Sequence, residues 1–356
     1  MNIHAERRNR LVATLQDREF AGAFITNLIN VRYMTGFTGS NGALWIDAAG
    51  NGVFLTDGRY KDQATAEVEG VEHEITREPV KQVAARMRRG RWAVETHTMS
   101  VDAHSALAHT APDASLVPLQ RRVEQLREVK DETEIEALRQ ACDVSTRALD
   151  GLIAGPLVGR SEREIARDLE NRMYAEGAEA IGFGTILASG PNSAIPHHSP
   201  TDRIVETGDL LKIDFGARVD GYHADCTRTF TVGKAADWQR EIYEAVQAAQ
   251  AACLDDLTEG TPVVTSLASV RRELTASGWL DAFTTGLGHG VGLEIHEDPF
   301  IGENHPGKLI RGTAMTMEPG IYLPGRGGVR IEDTVVVTSG APEVLTTMTK
   351  DLLELA

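Results

Sequence analysis

The sequence predicts a two-domain α/β chain, and three observations carry that prediction. At 356 residues it exceeds one ordinary core, so about two domains are expected. Strand-like and helix-like runs alternate through the first third, as in an α/β unit of roughly 120 residues. Beyond that, two amphipathic helices lead into a strand- and glycine-rich remainder. The boundary is placed near Val129, giving domains 1–128 and 129–356.

The elements follow from local patterns. "AGAFIT" (Ala21–Thr26) reads as a buried strand, and Gly42–Asp57 as a hairpin turning at Ala49-Gly50-Asn51-Gly52. Gly58–Val68 and Pro79–Arg89 read as helices, and Trp92–Glu95 as a short central strand. Asp131 with Glu134, and Ser161 with Glu164, are capping pairs that open helices, the first running to about Leu152. Further helices are expected at about Asp237–Leu257 and Val264–Ser277.

Composition limits the function. Apolar content of 42% and charged content of 25% are ordinary for a globular protein. A net charge of −16 would repel nucleic acid and anionic membrane, so neither is expected as a partner. Cys142, Cys226 and Cys253 form no Cys-x-x-Cys, which supports neither a zinc knuckle nor a disulfide framework and fits a reducing compartment. No run approaches the ~18 apolar residues of a membrane span, and the first twenty residues carry no signal-peptide core. A soluble, cytoplasmic protein is expected.

The stretch "KIDFGARVDGYHADCTRTF" (Lys212–Phe230) puts Asp214 and Asp225 into one hairpin. A four-residue loop Arg218-Val219-Asp220-Gly221 would set Asp214 directly opposite Asp225. Facing like charges are destabilising, so the pair calls for a shared cation or a shared proton. Two acids on a solvated face is the bland alternative. A second hairpin candidate, turning at Pro324-Gly325-Arg326-Gly327-Gly328, likewise has one acid on each arm, Glu318 and Glu332. Between the two lie His289 and His296.

Each residue also has an ordinary reading. His289 could be a turn residue among glycines, Glu318 a surface acid before Pro-Gly, and Glu332 and Asp333 solvent-facing. Taken together, four carboxylates and one imidazole suit hard or borderline divalent ions such as Mn²⁺, Co²⁺ or Zn²⁺. Two such ions would cancel four negative charges, polarise a carbonyl and activate water, which is the chemistry of metal-assisted amide hydrolysis.

"DFGARVDGYHADCTRTF", "GLGHGVGLEIHE", "MEPGIY" and "VRIEDT", in this order, resemble the pita-bread metallopeptidases over about Glu128–Ala356. The resemblance implies five metal ligands, Asp214, Asp225, His289, Glu318 and Glu332, holding two divalent ions per subunit, Mn²⁺ first, with Co²⁺ or Zn²⁺ as alternatives. It implies catalytic roles for His197, His296 and Glu318, with Glu318 passing a proton and the histidines facing the substrate. His198 is then an incidental neighbour, while Arg330 and Thr227 would stand behind the ligands and orient them. An ordinary strand role stays open for Thr227 and His223.

"VRYMTGFTGSNGALWI" and "FLTDGRYKDQA" resemble the creatinase-like leading domain of the proline-specific branch. The implied fold is therefore an N-terminal creatinase-like α/β domain followed by a pita-bread catalytic domain. The implied activity is cleavage of Xaa-Pro bonds in peptides with proline second, by a homodimer of the aminopeptidase P type. Prolidase (Xaa-Pro dipeptidase) is the alternative. The tilt to aminopeptidase P rests on the Gly-Phe-Thr-Gly-Ser and Asp-Gly-Arg-Tyr runs and on the segment after His296, where Lys308 and Arg311 come late and no carboxylate clamp is obvious. A metal-free, non-catalytic relative is the rival class; the filled ligand set speaks against it.

Overall fold

The computed structural model describes residues 2–356. The chain forms two compact units, the first ending at Arg127 and the second running from Glu128 to Ala356.

The first unit is built on a mixed six-stranded sheet. Its strands are β1 (Gly22–Ile25), β2 (Ala43–Asp47), β3 (Gly52–Thr56), β4 (Glu72–Ile75), β5 (Gly90–Val94) and β6 (Ala114–Pro118), in the order β4-β3-β2-β1-β5-β6. The β2–β3 hairpin is antiparallel, and β1 runs parallel to β5. Helices α1 (Ile3–Asp17), α2 (Leu28–Thr35), α3 (Lys61–Glu67), α4 (Pro79–Arg86), α5 (Val101–Thr110) and α6 (Arg122–Glu128) complete the alternation. Phe24, Trp45, Leu55, Val83, Trp92 and Leu107 meet in one core cluster, with the two indoles stacked at 5.6 Å. The stretch expected to be helical from Gly58 opens instead as a 3₁₀ turn, Gly58–Tyr60, because Asp57 accepts the Arg59 N–H.

The second unit begins with two capped helices, α7 (Glu132–Ile153) and α8 (Glu162–Ala175), each with a full capping box at Asp131–Glu134 and Ser161–Glu164. Strands β7 (Ala180–Ile181), β8 (Ile186–Ser189), β9 (Leu210–Phe215), β10 (Ala217–Val219), β11 (Tyr222–His223) and β12 (Cys226–Val232) follow. After α9 (Asp237–Asp255) and α10 (Val264–Ala276) come β13 (His289–Gly290), β14 (Glu297–Phe300), β15 (Ala314–Met317), β16 (Gly320–Leu323), β17 (Gly327–Arg330), β18 (Asp333–Val336), β19 (Glu343–Val344) and β20 (Glu354–Leu355). One sheet is ordered β20-β12-β9-β8 and another β14-β13-β15-β18-β19.

Strand alternation decides what faces what. Leu211, Ile213 and Phe215 of β9 pack on α7 and α8 together with Cys226 and Phe230 of β12. Lys212 and Asp214 therefore project from the opposite face. In the other half, Met315, Met317, Ile331 and Val335 pack on α9 and α10 with Ile242, Val246 and Val270. Glu318 and Glu332, each one residue on from a core position, are turned away from those helices. Among the described residues no helix is long and apolar enough to cross a membrane.

The first acidic hairpin differs from expectation in register. Asp214 pairs with Thr227, not with Asp225, because the turn is the two-residue loop Asp220-Gly221 between Val219 and Tyr222. Both loop residues have positive φ, 48° and 79°, the geometry of a type I′ hairpin. A shift by two residues keeps each side chain on its original face, so the two acids become diagonal rather than direct neighbours. Following the same register, Asp225 falls opposite Gly216. A Cβ at Gly216 would lie 1.7 Å from the Ala224 carbonyl oxygen, so only glycine fits there. The second hairpin closes more tightly than expected, on Pro324-Gly325-Arg326, with Leu323 paired to Gly327. Its register, continued by Met317 opposite Asp333, places Glu318 opposite Glu332.

Gly216→Ala should accordingly destabilise the protein by about 3 kcal/mol, at the upper end of overpacking effects, in urea unfolding. Gly286→Ala, where nothing lies within 4 Å of the added carbon, should stay near neutral. Equal effects of the two changes would contradict the close approach at Gly216.

Candidate metal centre

All five acids and imidazoles expected as ligands converge. Asp214, Asp225, His289, Glu318 and Glu332 line one cavity of about 150 Å³, together with His197, His296, Phe183, Ile186 and Ile295. The carboxylates and His289 form its wall, whereas His197 and His296 are exposed at its mouth.

Within this set Asp225, His289 and Glu332 each present a donor atom, and the three atoms lie within 4.8 Å of one another. His289 Nε2 is 3.5 Å from Asp225 Oδ2 and 3.7 Å from Glu318 Oε1. Its Nδ1–H donates to the Gly290 carbonyl at 3.0 Å, which leaves the Nε2 lone pair directed at the acids. Burial lowers the His289 pKa to about 4, so the ring is neutral, as a ligand must be. Asp214 stands outside the trio and takes a hydrogen bond from Arg330 Nη2 on Oδ2, while its buried Oδ1 has no partner.

The electrostatics are dominated by burial and by mutual repulsion of the acids. Burial pushes Asp225 well above the ordinary carboxylate range, and Glu332, Asp214 and Glu318 push it further. Glu332 is raised likewise, by burial and then by Glu318 and Asp214. Burial lifts Glu318 to about 7, with Arg330 opposing and Asp214 reinforcing. Four mutually repelling acids, an unpaired Asp214 oxygen and a neutral imidazole fit a pair of divalent cations by charge and by donor type.

Arg330 and Thr227 bind the wall together. Arg330, 1% exposed, donates from Nε to Thr227 Oγ1 (2.9 Å), and from Nη1 to Tyr322 Oη (2.9 Å) and the Pro196 carbonyl (3.2 Å). The Thr227 hydroxyl in turn donates a hydrogen bond to Glu332 Oε2 at 2.6 Å. Burial pushes the guanidinium down, but Tyr322, Asp214, Glu318 and Glu332 outweigh it and hold it well above its usual value. Asp333 is buried on the other side, bonded to Arg228 and Lys350. His223 is turned to the Gly292 carbonyl at 2.9 Å and does not line the cavity.

Three residues were not legible as parts of this assembly. Glu162, fully buried, accepts from Ser189 N and Oγ, Asn192 Nδ2, His198 Nε2 and Thr201 N and Oγ1, between 2.7 and 3.0 Å. His198 is therefore an anchor of the loop before β9, not an idle neighbour of His197. Lys212, which burial and then Arg330 lower to about 6 against the pull of Asp214, lies beneath the same loop. Its place two residues before Asp214 on one strand face was the available sign.

Comparison with known proteins agrees with this geometry. Residues 136–339 match Metallopeptidase family M24, and residues 7–129 match the Creatinase/Prolidase N-terminal domain. An Xaa-Pro dipeptidase of Pyrococcus furiosus is 35% identical over 98% of this chain and 99% of its own. A solved Xaa-Pro dipeptidase from Bacillus anthracis superposes with a TM-score of 0.95 at 35% identity, over 99% and 100% of the two chains. An X-Pro aminopeptidase structure from Thermotoga maritima gives a TM-score of 0.89 at 33% identity, over 98% and 99%.

A pH dependence follows from the raised acids. In the folded metal-free protein they keep protons that the unfolded chain has released, so the folded state is favoured at low pH. That advantage is lost as pH rises from about 4.3, the free glutamate value, through about 7 for Glu318. Chelated protein should therefore melt at a lower temperature near pH 7.5 than near pH 5, by about 2–4 °C per kcal/mol lost. Added Mn²⁺ should recover more stability at the higher pH. A gap between metal-loaded and chelated protein that does not widen with pH would contradict the repulsion described.

Proposed function

We propose that this chain, which belongs to metallopeptidase family M24, is an Xaa-Pro dipeptidase that cleaves the bond preceding proline in a dipeptide. The observation that carries the reading is the convergence of five ligand-type side chains and two exposed imidazoles on one small cavity. A cavity of about 150 Å³ is below the roughly 300–1,000 Å³ of drug-sized pockets and suits a short substrate. The Pyrococcus and Bacillus relatives carry dipeptidase names, which favours this over the aminopeptidase reading suggested by the sequence.

Asp214, Asp225, His289, Glu318 and Glu332 would hold two divalent cations, Mn²⁺ first for so oxygen-rich a set. When bound, such ions supply Lewis-acid polarisation of the scissile carbonyl and acidify a water molecule. The Glu318 carboxylate takes a proton from the attacking water at the cavity wall and returns it to the departing prolyl nitrogen. His296, whose pKa burial and then His197 lower, presents a neutral N–H toward the developing oxyanion. His197, also at the cavity mouth, would face the prolyl side. Thr227 and Arg330 orient Glu332 and Asp214, so that the ligands do not rearrange during turnover.

Release of the first residue from longer Xaa-Pro peptides is the second reading. It is favoured by one specific feature: among the described residues neither lysine nor arginine lines the cavity, and a dipeptide's carboxylate is best held by a guanidinium. The Thermotoga aminopeptidase fits alongside it.

Under equal metal loading, kcat/KM should be higher for an Xaa-Pro dipeptide than for its tripeptide extension. The reverse order would assign the second reading. His296→Ala should keep its metal content while kcat falls on the order of 10²–10³, whereas loss of metal in that variant would make His296 a ligand.

A further inference from the structure

We propose that Lys212 is a positioning residue: it fixes the segment ending in His197 to the strand that carries Asp214. The inference rests on the role given above to His197 and extends it to a residue that touches neither substrate nor ligand.

Lys212 is fully buried, and its two hydrogen bonds run from Nζ to the carbonyl oxygens of Ile195 (2.7 Å) and Pro196 (3.2 Å). Its Nζ also lies over the Tyr322 ring, 5.1 Å from the centroid. The Pro196 carbonyl takes a second donor, Arg330 Nη1, at 3.2 Å. These are the two peptide units immediately before His197. The segment has little else to hold it at this point, since the Ile195 side chain is 47% exposed and His197 itself stands in solvent at the cavity mouth. The Glu162 hub grips the loop at Ser189, Asn192, His198 and Thr201 and leaves the Ile195–Pro196 apex to Lys212 and Arg330.

Strand geometry explains why a lysine at this position can do this. Lys212 and Asp214 are two apart on β9 and share a face, while Leu211, Ile213 and Phe215 anchor the other face to α7 and α8. One strand thus presents a ligand carboxylate and, about 7 Å along, the Nζ donor that ties down the histidine loop. The distance between His197 and the ligand wall is then set by a strand rather than by a mobile loop. Misplacement of a substrate-facing group by about 1 Å can cost on the order of 10²-fold in rate.

The test is a double-mutant cycle with Lys212→Met, which keeps the volume and removes the donor, and His197→Ala. Lys212→Met should retain the parent's metal content and lower kcat on the order of tenfold, yet by less than twofold in the His197→Ala background. Hydrogen exchange of the 190–199 segment should quicken in Lys212→Met, and Lys212→Gln, which keeps one donor, should fall between it and the parent in both measurements. Full additivity of the two changes, or an unchanged exchange rate, would overturn the positioning role while leaving His197 in place. Loss of metal in both Lys212 variants would overturn it as well, making Lys212 a support of Asp214. A silent His197→Ala would instead remove the role of His197 and this inference with it.

Discussion

Repulsion among four buried carboxylates is the constraint around which the second unit is arranged. Asp214, Asp225, Glu318 and Glu332 come from two hairpins, and burial together with neighbouring acids raises Asp225, Glu318 and Glu332. Arg330 supplies the internal positive charge, and it bonds at once to Asp214, to Thr227 beneath Glu332, and to the Pro196 carbonyl. One guanidinium cannot balance four acids, so the remainder falls to protons or to metal. A site of this kind is tolerated because helix packing on the far side of both sheets is extensive, apolar at β9 and β15 and completed at β12 and β18 by the buried Arg228–Asp333 ion pair.

The convergence of Asp214, Asp225, His289, Glu318 and Glu332 was legible because these residues sit in short, dense motifs whose order could be matched, and because two acids on paired strand arms demand an explanation. The register was less so. Asp220-Gly221 could be read as the end of a four-residue loop or as the whole of a two-residue one, and only the backbone distinguishes them. The consequence was modest, since a shift of two preserves the face. In the first unit the β2–β3 hairpin and the central strand were visible as apolar runs, whereas α1 and α2 have weak amphipathic patterns and were not marked.

Glu162, His198 and Lys212 escaped for a different reason. Glu162 is the first residue of α8, where an acid is already expected for helix-dipole reasons. Nothing in its neighbourhood of sequence reveals partners 27 to 39 residues away. Lys212 reads as a break in an apolar strand, and its two acceptors are main-chain oxygens, which no side-chain pattern records. Long-range bonds to backbone are the class of interaction that sequence inspection loses, and here they hold the loop that carries His197.

The central claim is that protons and divalent cations compete for one set of mutually repelling acids, and calorimetry tests it most directly. Titration of Mn²⁺ into chelated protein, repeated in buffers of different ionisation enthalpy, counts the protons displaced. The account predicts saturable binding with net proton release at pH 6.5, decreasing as pH is raised to 8, since acids shifted upward toward 7 carry protons that the metal must expel. Saturable binding with no proton release at either pH would contradict it, because the acids would then be ionised side by side without a cation.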